Sequence, residues 1–226
     1  MSVAEDLHRI KSGLPSNVTL VAVTKTHPSE VVLEAYNAGH KIFGENKVQE
    51  MADKYHNLPK DIEWHLIGHL QTNKVKYIAP FVKLIHSVDS LKLLKEINKQ
   101  AKKNNRIIDC LLQIYIAKEE TKYGLDFTEA EQLLVLGELR ELKNVRITGL
   151  MGMATNTDNQ DQVRSEFRSL KIFFDRLSTR NSQQGTSNPG LETLSMGMTS
   201  DYKIAIEEGS NMVRIGSAIF GNRNYN

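Results

Sequence analysis

Cysteine is almost missing from this chain: Cys110 is the only one, which excludes an intrachain disulfide framework and a cysteine-based metal site. A reducing, cytoplasmic compartment fits that usage. A dominant charge is missing too. Twenty-nine Lys and Arg stand against 27 Asp and Glu, and a net charge of +2 leaves no broad electrostatic footprint for nucleic acid or an anionic membrane. Any preference for an anion must therefore be local. No apolar run approaches membrane-spanning length. Met1 to Lys11, with Glu5 and Asp6 among spaced apolar residues, lacks a signal-peptide core and reads as an amphipathic helix. Internal repeats and dividing linkers are also absent, so residues 1–226 are expected to form one domain. The single low-complexity stretch, Asn181 to Gly190, is rich in Ser, Asn, Gln and Gly and reads as a mobile loop.

What is present is alternation. Strand-like runs fall at 19–25, 41–46, 63–69, 84–89, 107–115, 146–153, 193–198 and 212–217. Helical stretches with recognisable punctuation separate them. Pro28 opens one that runs from Glu30 to Ala38 and stops at Gly39; Asp89 or Ser90 precedes Leu91, Leu93, Leu94 and Ile97. Thr128 with Glu131 has the capping-box pattern and predicts a helix over Glu129 to Leu142. Asp158 precedes a long amphipathic run to about Leu177, and a last helix spans Asp201 to Glu208 before Gly209. Strands alternating with helices predict parallel pairing through right-handed crossovers, and eight such units predict a compact α/β fold, a (β/α)₈ TIM barrel. The alternative is a doubly wound open sheet. Little chain follows the eighth strand, so the N-terminal helix is expected to cover that face of the barrel.

In a barrel, binding groups gather at the C-terminal ends of the strands, with a phosphate site commonly formed after strands seven and eight. Those loops here are Ser195-Met196-Gly197-Met198-Thr199-Ser200-Asp201 and Gly216-Ser217. Glycine permits close backbone approach, hydroxyls donate, and free N–H groups at a helix start point at negative charge. An ordinary turn is the plainer reading of either segment alone. Lys25 ends the apolar run Leu20-Val21-Ala22-Val23-Thr24. Such a lysine usually snorkels into water, but desolvated across the mouth from a phosphate cradle it is a neutral amine able to attack a carbonyl. The aldehyde that carries a phosphate at that reach is pyridoxal 5′-phosphate. Arg214, two residues before Gly216, either pairs with a barrel carboxylate such as Glu45 or donates to the cofactor's pyridine nitrogen, keeping that nitrogen unprotonated.

Six segments carry a closer likeness: Val21 to Lys25, Phe43 to Glu50, Trp64 to Lys74, Gly149 to Met153, Leu194 to Asp201 and Arg214 to Gly221. Together they resemble the pyridoxal phosphate homeostasis protein family, over residues 18 to the end. The resemblance implies a single barrel related to the N-terminal barrel of alanine racemase, with the cofactor held as an aldimine on Lys25. It implies phosphate contacts from Ser195 to Ser200 and from Gly216-Ser217, with Arg214 facing the pyridine nitrogen. Thr199 and Ser217 stand where the family alternates serine and threonine, which preserves the hydroxyl.

Asn46 and His69 are expected to line the pocket, although either could equally be a cap or a satisfied polar group. His65 and His69 are four apart, a zinc spacing on a helix, but on a strand they only share a face, and no metal is expected. Met151 and Met196 are candidate walls for the pyridine ring, beside plain barrel packing for both. Lys99 to Arg106 reads as a solvated basic helix end. Two functions follow: a monomeric carrier that buffers or delivers pyridoxal 5′-phosphate with little turnover, passing it transiently to free amino acids or apo-enzymes, or a small amino-acid racemase. Racemisation needs an acid/base on each face of the substrate. Lys122 is expected at the same mouth, where the plainer reading is a solvated loop lysine and the sharper one a transient acceptor of the cofactor.

Overall fold

The computed structural model describes residues 2–118, 123–183 and 190–221. Eight parallel strands close into a barrel in chain order: Thr19–Val23 (β1), Ile42–Glu45 (β2), Glu63–Leu66 (β3), Leu84–Val88 (β4), Ile108–Ile114 (β5), Val145–Gly152 (β6), Thr193–Ser195 (β7) and Met212–Ile215 (β8). The open-sheet alternative is thereby excluded. Around them lie Val3–Ser12 (α1), Ser29–Asn37 (α2), Val48–Asn57 (α3), Val75–Ile78 (α4), Leu91–Lys103 (α5), Phe127–Val135 (α6), Gln160–Gln183 (α7), Tyr202–Glu207 (α8) and Ser217–Phe220 (α9).

Strand alternation sorts the apolar side chains into two layers. Val21, Leu84, Leu111, Met151 and Met212 fill the barrel interior, while Ala22, Phe43, Trp64, Leu66, Ile85 and Leu150 pack outward against the helices. The seam pairs Leu20 with Val213 and Ala22 with Ile215, so β1 lies beside β8. Among the described residues one turn of helix, α9, follows β8, and α1 packs beside it: Leu7 and Ile10 are buried, and Arg9 Nη2 donates to the Ala218 carbonyl at 3.3 Å. A Ser2–Glu5 capping box fixes the start of α1.

The helix expected over Glu129 to Leu142 is shorter and begins earlier. Asp126 accepts from the Glu129 amide at 2.7 Å and Glu129 returns a bond to the Asp126 amide, so the capping box sits two residues before the expected one. Gly137 weakens helix propagation, and the chain passes instead into a 3₁₀ turn at Gly137–Glu141. The low-complexity loop lies largely outside the described residues: 184–189 are not described, and its first residues end α7. Lys122 also falls outside them.

Candidate functional site at the strand C-termini

β1 ends at Val23, and the chain turns immediately. The Thr24 carbonyl accepts from the His27 amide at 3.0 Å, which puts Lys25 and Thr26 at the two central positions of a tight turn. Thr26 has φ +68, a left-handed conformation a β-branched residue rarely takes. Lys25 is half-buried and continues the inward parity of Val21 and Val23. Because β1 abuts β8, the turn that carries Lys25 leaves the strand next to the one that ends at Gly216, not across the mouth from it. A Cβ at Gly216 would lie 3.1 Å from the Val23 carbonyl oxygen, so glycine gives this seam its close fit. His27 and Phe220 extend the junction, with ring centroids 5.4 Å apart.

The two expected anion loops touch each other. The Gly216 amide donates to Thr199 Oγ1 at 3.4 Å, which brings Thr199, Ser200, Gly216 and Ser217 to one edge of the mouth. Gly197 turns the β7 loop with φ +92, and a Cβ there would meet Ala205 at 2.7 Å. Asp201 then closes the loop by accepting from the Met198 amide at 2.6 Å.

Below this edge runs a buried polar chain. Arg214 Nη1 donates to the Ser195 carbonyl at 2.9 Å and to Ser195 Oγ at 2.6 Å, and Nη2 donates to the Gly152 carbonyl at 3.0 Å. Ser195 Oγ lies 3.1 Å from His86 Nδ1, and His86 Nε2 lies 3.1 Å from His65 Nδ1. A hydroxyl that accepts from a guanidinium has its own proton free to donate, so His86 accepts at Nδ1 and carries its proton on Nε2. His65 in turn carries its proton on Nε2. Burial holds both rings neutral, pushing His65 down to about 3 and His86 well below the usual imidazole range. The same burial lowers Arg214 to about 10, which leaves it a cation at neutral pH.

Several expectations change here. Arg214 does not pair with Glu45, whose Oε1 accepts instead from Lys54 Nζ at 2.7 Å, on the outer side of the barrel wall. Ser195 is fully buried and its hydroxyl is committed to Arg214 and His86, so it braces the guanidinium and does not face the anion edge. Met196 packs outward among the helices and cannot wall a ring inside the mouth, whereas Met151 lies in the interior, level with Ser195 and Gln113. Asn46 follows β2 half-buried, with Gly68 packed against its backbone. His69 stands at the exposed rim, stacked on Tyr123 at 4.5 Å with Nδ1 3.6 Å from Asp89, and so shares no site with His65. His86 was missed by sequence reasoning, although its inward parity with Leu84 in an apolar strand was the available signal.

A cavity of about 360 Å³ opens at the opposite end of the barrel, lined by first residues of strands such as Thr19, Glu63, Leu84 and Met212. The Asp109–Arg146 and Glu63–Lys83 ion pairs lie on its wall.

This arrangement defines a class: a closed parallel barrel with a lysine turn, two hydroxyl- and glycine-bearing loops and a braced arginine at one mouth. The family model for the alanine racemase N-terminal domain matches residues 2–224. The chain belongs to the pyridoxal phosphate homeostasis protein family. It is 47% identical to the pyridoxal phosphate homeostasis protein of Aquifex aeolicus over 208 residues, covering 91% of this chain and 87% of that one. Among solved structures, PipY of Synechococcus elongatus without PLP superposes with a TM-score of 0.87 at 36% identity, covering 97% of this chain and all of that one. The structure of PipY with PLP bound gives 0.85 at 35% identity. Alanine racemase of Clostridium difficile shares the fold, with a TM-score of 0.77 at 16% identity over 56% of its own length.

Proposed function

We propose that this chain binds pyridoxal 5′-phosphate at the C-terminal mouth and holds it reversibly, to buffer or deliver it, with little turnover. The observation that carries the reading is the seam itself: β1, whose end leads into the lysine turn, packs at Val23 directly against Gly216 after β8, so the turn that carries the amine and the expected oxyanion edge leave neighbouring strands at one side of the mouth. PipY, a relative with PLP bound in one structure, supports the same reading.

The residues present fit that group. When bound, the cofactor supplies an aldehyde, a phosphate and a pyridine nitrogen. The Lys25 amine is assigned to the aldehyde carbon, which it would hold covalently with release of one water. Thr199, Ser200, Gly216 and Ser217, with the backbone of Gly197, are assigned to the phosphate. Three of the five guanidinium N–H groups of Arg214 serve Ser195 and Gly152, and one of the other two is assigned to the pyridine nitrogen, which accepts a single bond. A guanidinium that stays protonated keeps a facing pyridine nitrogen unprotonated, and the ring is then a poor electron sink, which favours the carrier over a racemase. Met151 and Asn46 are assigned to the inner wall and His69 to the rim. Among the described residues no helix is long and apolar enough to cross a membrane. We place the protein in the cytoplasm on its single, buried cysteine, whose thiol burial pushes up and out of reactive range.

The test is spectroscopic. Purified protein given pyridoxal 5′-phosphate should develop a visible band that borohydride abolishes, and Lys25→Ala should form no such band. A Lys25→Ala variant with an undiminished reducible band would move the anchor to another lysine.

A further inference from the structure

The motif Phe43 to Glu50 is only partly used by the proposed site, and its two carboxylates converge on one buried lysine. Lys54, on α3, is 5% exposed, and its ammonium makes three bonds: to the Thr24 carbonyl at 2.7 Å, to Glu45 Oε1 at 2.7 Å and to Glu50 Oε1 at 2.8 Å. Those partners hold the turn that presents Lys25. Thr24 Oγ1 donates to Glu45 Oε1 at 2.6 Å, and the Thr26 amide donates to Glu50 Oε1 at 2.6 Å. The clamp thus grips the residues on both sides of Lys25.

Simple stabilisation does not explain the arrangement. Two carboxylates share one cation, and Glu45 Oε2 is buried without a hydrogen-bond partner. Well-packed apolar groups often serve stability as well as a buried ionic cluster or better. Thr26 is held at φ +68, where glycine would rest without strain. A buried ionic cluster and a strained residue therefore meet at a single turn, and the residue between the clamped positions is Lys25.

We propose that Lys54, with Glu45 and Glu50, is the positioning cluster for Lys25: it fixes the Thr24–Thr26 turn so that the Lys25 amine stands ready at the cofactor's aldehyde. The cluster lies on the outer side of the barrel wall and includes none of the groups assigned to the phosphate, so its effect falls on how readily the amine condenses and not on how tightly the phosphate is held. The proposal rests on the assignment of Lys25 above.

The test separates the two steps. Pyridoxine 5′-phosphate carries the phosphate and the ring but an alcohol in place of the aldehyde, and it reports non-covalent binding alone. In Lys54→Met and Glu50→Gln its affinity should stay within about twofold of wild type, while the rate at which pyridoxal 5′-phosphate forms the borohydride-reducible band falls about tenfold or more. Glu50→Asp should recover part of that rate. Glu50→Gln keeps the side-chain shape and decides the matter if Lys54→Met does not fold. Wild-type rates in the variants that fold would overturn the clamp, as would equal losses in rate and in pyridoxine 5′-phosphate affinity. A Lys25→Ala protein that still forms the band would instead overturn the anchor, so failures of the two proposals look different.

Discussion

The Arg214 guanidinium and the Ser195 hydroxyl meet at 2.6 Å inside the barrel, and neither side chain has appreciable contact with solvent. A buried cation needs its partners, and a hydrogen bond to a charged group contributes about 1.5–3 kcal/mol. Ser195→Ala leaves one guanidinium N–H and His86 Nδ1 without the shared oxygen. Chemical denaturation should show a loss of about 1.5–3 kcal/mol in folding stability, and Ser195→Thr should recover most of it. Equal stability of the alanine variant would show that Arg214 does not depend on this bond.

The anion edge is tested at Gly216. Its backbone φ is ordinary, so substitution there acts through space and charge and not through backbone strain. Gly216→Asp adds bulk at the Val23 contact and a like charge beside the phosphate, and it should remove measurable binding of pyridoxal 5′-phosphate. Pyridoxal without its phosphate should bind wild type at least about tenfold more weakly, the loss expected from a single charge-assisted bond of roughly 1.5 kcal/mol. Equal titration curves for pyridoxal and pyridoxal 5′-phosphate would rule out the cradle.

Stability should fall in acid because of the buried imidazoles. His65 is pushed down to about 3 and His40 to about 4, both by burial, from an ordinary value near 6.5. Above pH 6.5 both states are neutral and nothing is lost. As pH falls below that value the unfolded chain takes up protons that the folded chain refuses, so stability drops progressively. Glu45, raised by burial to about 7, acts with the opposite sign and loses stability as pH rises from its unfolded value of 4.5. Three such histidines, His86 included, outweigh one glutamate. Between pH 7.5 and pH 5, wild type should lose about 2 kcal/mol more than His65→Gln. Parallel curves for the two proteins would refute a neutral, buried His65.

Carrier and racemase are separated by hydrogen exchange. Holo-protein incubated with L-alanine in deuterium oxide should exchange the α-proton slowly and leave chirality unchanged, because an Arg214 that faces the pyridine nitrogen as proposed would disfavour its protonation and hence a strong electron sink. Racemisation at ordinary enzymatic rates of roughly 1–10³ per second, read by chiral chromatography, would overturn the carrier.

The barrel was legible in the sequence because its signals are local and repeated. Each strand carries an apolar run, and punctuation such as Pro28, Ser90 and Gly209 marks the helix ends. Lys25 and Gly216 could be singled out as candidates because the ends of barrel strands are where binding groups gather. What stayed hidden depends on parity and distance. Ser195 and Met196 are adjacent in sequence yet face opposite sides of β7, so one braces Arg214 and the other packs under the helices. The Lys54 clamp joins residues 9 and 30 positions apart in sequence, and no local pattern reports such a meeting.

The β1–β8 seam bears on when the cofactor can be acquired. The lysine turn follows the first strand to leave the ribosome, and the Gly216 loop follows the last, so a nascent chain has the amine long before it has the oxyanion edge. With the cofactor held as proposed, its capture would report that the ring has shut. A ligand bridging the two strands, as proposed, would also latch them, so loaded protein should resist opening at this join more than empty protein does.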